Sequence, residues 1–247
     1  TQRLRDVINK NITEAEILDT CNKAFSGGWT AVKLYFMIGL PTETDDDVVG
    51  INVISQKVVD EFYNNPNRPK GKAVAVSDGV SSFVPKPFTP FQWEAQDTRE
   101  ELKRKQNLLK STCTSKKITF RFHNTDMTYL EAVLARGDRK VGAVIEDAWR
   151  NGCTFDSWDD KFKIQTWLDS FKRTGISPEF YANRKRDYSE VLPWDVINAG
   201  IRKEFLIAES EKARRAETTC NCREKCAGCG SNMLNGGKCD ALCKNMV

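Results

Sequence analysis

The run Val32-Lys33-Leu34-Tyr35-Phe36-Met37-Ile38-Gly39-Leu40 constrains the fold more than any other stretch of this chain. It is apolar except for Lys33, carries β-branched and aromatic residues, and lies between Gly27-Gly28 and Pro41, so it predicts a buried strand. Gly39-Leu40-Pro41-Thr42-Glu43-Thr44 then turns the chain, and Thr44 with Asp47 three residues on has the form of a helix N-cap with an acidic first turn. A strand whose turn opens a helix is half of a βα unit. Ligands of parallel α/β folds gather at the carboxyl ends of strands, so the functional surface is expected near Gly39 to Thr44.

The flanking pattern extends the unit in both directions. Leu4, Val7 and Ile8 have helical spacing, and Thr13 with Glu16 makes a capping box ahead of the stripe Ile17, Leu18, Cys21, Ala24, Phe25. Val48 to Phe62 predicts a long amphipathic helix. Lys72 to Val80 alternates as a strand does, and the loop Ser81 to Gln96 has too many aromatic residues for a solvated linker. Asp97 is expected to cap a basic helix, Arg99 to Thr112, with Leu102, Leu108 and Leu109 inward, followed by a strand from Ile118 to His123. The order αβαβαβ predicts a parallel sheet with covering helices.

Beyond Asp126 the pattern turns helical: Met127 to Arg136, Val141 to Arg150, Asp159 to Arg173 and Ile201 to Ala216. Asp156, Asp159 and Asp160 read as a helix start, and Trp149, Trp158, Trp167 and Trp194 as packing between helices. Three domains are expected: 1–123, 124–217 and 218–247.

A net charge of +4 over 247 residues does not by itself argue for nucleic acid or an anionic membrane. Eight basic residues fall between Arg99 and Arg121, a block read either as a solvated helix with an edge strand or as a face for RNA or a protein partner. No apolar run has bilayer-spanning length and Thr1 to Arg5 is no secretory leader, so a cytoplasmic location without membrane association is expected. His123, the one histidine, is either a proton donor or substrate contact or a structural residue of the following loop.

Six of the nine cysteines, Cys220, Cys222, Cys226, Cys229, Cys239 and Cys243, crowd the last segment. Without a secretory context such clustering points to metal rather than to disulfides. Cys222, Cys226 and Cys229 are the first candidates, with Cys239, Cys220 or Cys243 as fourth ligand, for zinc or an iron-sulfur cluster.

MIGLPTET, Met37 to Thr44, is similar to the strand-loop motif at the fifth βα corner of radical S-adenosylmethionine enzymes, with Thr42 where that family has glycine. Ser82 to Phe91, SFVPKPFTPF, resembles the sixth-strand segment of the same superfamily, with Phe88 where glycine is usual. With LRDVINKNIT, EAVLARGDRKVG, LPWDVINAGIRKEFL and the cysteine tail, most of the chain resembles the C-terminal half of an uncharacterised radical S-adenosylmethionine family that carries a cobalamin-binding-like domain ahead of its barrel.

The resemblance implies the later half of a partial (β/α) barrel, then a helical extension and a metal-binding tail. It implies that Met37, Ile38 and Gly39 on one corner, and Phe83 and Val84 on the next, contact the nucleoside of S-adenosylmethionine. The cysteine triplet that holds the four-iron four-sulfur cluster in such enzymes belongs after the first strand. It is therefore expected upstream of Thr1, so the missing half of the barrel is a partner and the chain alone is expected to be inactive. Cobalamin use is compatible with the resemblance, and a truncated, non-functional product is a third reading. Cys222, Cys226 and Cys229 have the spacing of that triplet but follow the barrel, so they read as a second metal site.

Overall fold

The computed structural model describes residues 1–236, and Cys239 and Cys243 lie outside them. The chain is α/β and divides into two compact units, Thr1–Phe83 with Asp97–Thr125, and Val84–Gln96 with Asp126–Val247. The segment 84–96, expected with the barrel part, thus groups with the helical part.

The first unit is an open, three-stranded, wholly parallel sheet in the order β1 (Ala31–Ile38), β2 (Ala75–Ser82), β3 (Ile118–Phe122). Parallel neighbours need crossover connections, and these are α3 (Asp45–Asn64) and α4 (Arg99–Thr112), with α1 (Gln2–Val7) and α2 (Glu14–Ser26) ahead of β1. Both capping boxes form: the Thr13 hydroxyl accepts from Glu16 N while Glu16 answers Thr13 N, and Thr44 and Asp47 do the same at α3. Two satisfied amide donors at each start explain why these helices begin there. At α4 the cap is Thr98, one residue later than expected.

All the covering helices lie on one face of the sheet. Phe25 and Cys21 of α2 and Val58, Val59 and Phe62 of α3 pack on Val76 and Ile118, while Leu102 and Leu109 of α4 meet Ile38, Val48 and Val80. β1 is consequently buried on one side only. Val32, Leu34 and Phe36 turn toward helices, whereas Tyr35 is 76% exposed, which corrects the expectation of a buried strand.

The second unit is helical: α5 (Thr125–Arg136), α6 (Val141–Arg150), α7 (Ile164–Thr174), α8 (Pro178–Ala182) and α9 (Lys203–Arg214). One core joins Leu130 and Val133 of α5, Val144 and Ala148 of α6, Trp167 and Phe171 of α7 and Tyr181 of α8. A second gathers Trp93, Leu192, Trp194 and Leu206, with Phe88 against it, and this covers the aromatic loop. Trp167 and Trp194 are core residues as expected, but Trp149 and Trp158 are exposed. The reason on α6 is its stripe Val141, Val144, Ala148, which leaves the next position, Trp149, on the rim. α7 starts at Ile164, so Asp156, Asp159 and Asp160 lie ahead of it rather than in its first turn.

Candidate functional site

β1 and β2 run in register from Ala31 opposite Ala75 to Ile38 opposite Ser82. The ladder continues one step further, because the Phe83 amide donates to the Ile38 carbonyl at 2.8 Å. The carboxyl ends of the two strands are therefore side by side, and Met37, Ile38, Gly39 and Phe83 meet at one edge of the sheet. Val84 follows Phe83 directly and packs in the second unit's helical core. Ile38 and Phe83 are buried, and Met37 is 39% exposed.

Gly39 has φ +82, and a Cβ there would stand 3.2 Å from both Asp97 Oδ2 and Leu102 Cδ2. Only glycine fits both the left-handed backbone and that approach. The turn after it is held by Glu43, whose Oε1 accepts from the Gly39 amide at 2.8 Å and from Lys105 Nζ at 2.8 Å. Lys105 also reaches Asp97 at 2.7 Å. Burial pushes the Glu43 carboxyl above the usual carboxylate range, against the pull of these donors. Burial acts to lower the Lys105 ammonium, and Asp97 and Glu43 outweigh it. Two donors converging on a single oxygen fit the ionised pair. Glu43 is a fastener of the corner rather than a group offered to a ligand.

Thr42 and Phe88 have φ +67 and +58, in the left-handed region that side chains other than glycine, asparagine and aspartate seldom adopt. These are the two positions at which the resembling motifs carry glycine. Thr42 is tied down by Arg3, whose guanidinium donates to its hydroxyl at 2.9 Å and to its carbonyl at 2.8 Å. The Phe88 ring packs on the Trp93 core and its amide donates to Gln92 at 3.1 Å.

His123 extends β3 by one bond, its amide donating to the Val80 carbonyl at 3.2 Å, and the residue is exposed. Two cations of the basic block have carboxylate partners around α4: Arg104 pairs with Asp45 and Glu101, and Lys105 with Glu43 and Asp97.

The tail begins as exposed turns. Gly228 N–H donates to Cys226 Sγ at 3.4 Å and Ser231 N–H to Cys229 Sγ at 3.5 Å, with Gly228 and Gly230 at φ +70 and +94. Each of these sulfurs accepts from the amide two residues on, a contact that metal-bound cysteine sulfurs also make. Arg202, the N-cap of α9, fixes this segment by donating from its amide to the Cys229 carbonyl at 2.9 Å and from its side chain to the Gly228 carbonyl. Cys226 and Cys229 thus fit two ligands of a metal. Cys220 and Cys222 are exposed, and among the described residues no three cysteine, histidine or carboxylate side chains converge as a closed site.

Sequence reasoning missed the half-buried Asp97–Lys105 pair and the open face of the sheet. The first needs a three-dimensional contact; the second was visible as the alternation of Val32, Leu34 and Phe36 with Lys33, Tyr35 and Met37.

No family model matches the chain, and no solved structure matches it. It is 30% identical over 176 residues to an uncharacterised protein of Methanocaldococcus jannaschii, a stretch covering 71% of this chain and 37% of that protein. The matched stretch is therefore little more than a third of the length of that relative. Among the described residues no helix is long and apolar enough to cross a membrane.

Proposed function

We propose that this chain is the later part of a radical S-adenosylmethionine enzyme, the later half of a partial (β/α) barrel, whose β1 and β2 ends form the rim that holds the cofactor's nucleoside. One observation carries the reading. The two motif-bearing corners lie on adjacent parallel strands joined by the Phe83–Ile38 bond, and their two departures from glycine, Thr42 and Phe88, keep a glycine-like backbone. Met37, Ile38 and Gly39 would lie along the adenine, with backbone groups of Phe83 and Val84 supplying its hydrogen bonds. The cofactor, cleaved at a four-iron four-sulfur cluster in the earlier part of a longer protein, supplies the radical; the residues of this chain bind and orient it. In the tail Cys226 and Cys229, with Cys222 and one of Cys220, Cys239 or Cys243, would hold zinc or an auxiliary cluster.

The experiment is a turnover assay on a longer protein containing this sequence, reconstituted anaerobically with iron and sulfide and reduced with dithionite. Release of 5′-deoxyadenosine from S-adenosylmethionine, lost in Gly39→Val, is expected; no release under any reducing condition would remove the reading. The rival, a binding module for RNA or a protein partner, loses Arg104 and Lys105 of its basic face to carboxylate partners. A steep fall of RNA affinity with salt would revive it.

A further inference from the structure

The face of the sheet turned away from the helices has a single sign of charge. Its positions are Ala31, Lys33, Tyr35 and Met37 on β1, Ala75, Ser77, Gly79 and Ser81 on β2, and Thr119 and Arg121 on β3, with His123 next in the same alternation. No carboxylate is among them, and Asp78 lies on the opposite face, under the helices. Register aligns Lys33 with Ser77 and Thr119, and Tyr35 with Gly79 and Arg121.

Across the second row Gly79 carries no side chain. The Tyr35 ring leans over it, 3.4 Å from where a Gly79 Cβ would stand, and Lys33 Nζ lies 4.9 Å from the centre of that ring. Neighbouring strands lie about 4.8 Å apart, so Tyr35 and Arg121 flank Gly79 at roughly 10 Å between Cα atoms. Lys33, Tyr35, Arg121 and His123 are all exposed. Elsewhere in this unit Lys57, Arg104 and Lys105 are paired with carboxylates, whereas among the described residues neither Lys33 nor Arg121 has an ion pair.

We infer that this face binds the substrate, and that the substrate is a small molecule bearing a carboxylate or phosphate, gripped by Arg121 and Lys33 beside the Tyr35 ring. A guanidinium fork engages either oxyanion in two parallel bonds, and Lys33 adds a second, mobile charge. On the same face the next row toward the carboxyl ends of β1 and β2 is Met37 with Ser81, beside the proposed nucleoside rim. The substrate role rests on the function proposed above; the anion site itself does not.

The test is a titration of the isotope-labelled chain with inorganic phosphate and, separately, with citrate, at constant ionic strength, read at the Gly79 amide, the Tyr35 ring and the Arg121 Nε resonance. Saturable shifts are expected, weakened about tenfold or more in Lys33→Met and in Arg121→Met, retained in Lys33→Arg, and unaffected by Lys70→Met on the loop before β2. Phosphate binding the tighter marks a phosphate ester, and citrate the tighter marks a carboxylate. No saturation by either probe, or equal saturation in both methionine variants, overturns the inference. Both side chains are exposed, so unchanged melting of the variants certifies their fold. S-Adenosylhomocysteine, read at Gly39 and Phe83, keeps the two failures apart: its binding with no anion response removes this inference alone, and the reverse removes the cofactor rim alone.

Discussion

Thr42 and Phe88 adopt a backbone that glycine adopts without strain, and they differ in what their side chains return. Thr42 is on the surface with a hydroxyl held by Arg3. Thr42→Gly relieves a left-handed β-branched residue and forfeits that one exposed bond, so urea melts should show a gain of up to roughly 1 kcal/mol. Phe88→Gly loses ring packing on the Trp93 core and should cost more than about 2 kcal/mol despite the same relief. Asp78 gives a pH signature. It is fully buried, accepts from Ser55 Oγ at 2.7 Å, and burial pushes its carboxyl up to about 6 against that bond. A native pKa above the unfolded one means the folded chain holds a proton the unfolded chain has lost. The stability present below about pH 4 is therefore lost as pH rises through about 6, by at most about 3 kcal/mol. Asp78→Asn should abolish that component, seen as melts at pH 4.5 and 7.5 that converge. Asp78 was not legible as buried, because a single acid in an alternating strand reads as the wet side; here the sheet's helix face takes Val76, Asp78 and Val80 in turn.

At the scale of the element, what could be read was whatever chemistry is local. Thr13 with Glu16 and Thr44 with Asp47 capped their helices as the spacing said, because a capping box is a contact within one turn. Asp97 was mistaken for a cap since it also begins a helix-compatible stretch; Thr98 takes that place and Asp97 turns to Lys105, eight residues on, a partner spacing alone cannot name. The same limit applied to Trp149, where hydrophobicity does not say which face a helix buries, and Trp158 lies in the turns ahead of α7 rather than between helices. The turn after β1 ranks these effects. Thr44→Ala should cost about 1 kcal/mol, the worth of one cap. Glu43→Ala should cost about 3 kcal/mol, because it leaves the buried Lys105 with Asp97 alone and frees the Gly39 amide, with the difference measured in denaturant melts of both variants.

At the scale of the molecule, the alternation of helix and strand sufficed for a small parallel sheet with crossover helices, since no other connection joins parallel neighbours. The division of the chain was less legible: the loop 84–96 reads as part of its strand, yet its Trp93 is buried among Leu192, Trp194 and Leu206, about a hundred residues later. The proposed role turns on the edge where β1 and β2 end. Amide spectra of the labelled chain titrated with S-adenosylhomocysteine test it most directly. Saturable shifts confined to Met37 to Gly39 and Phe83 to Val84, absent in Gly39→Val, are the predicted result; shifts that centre elsewhere, or no saturation at millimolar ligand, would contradict it.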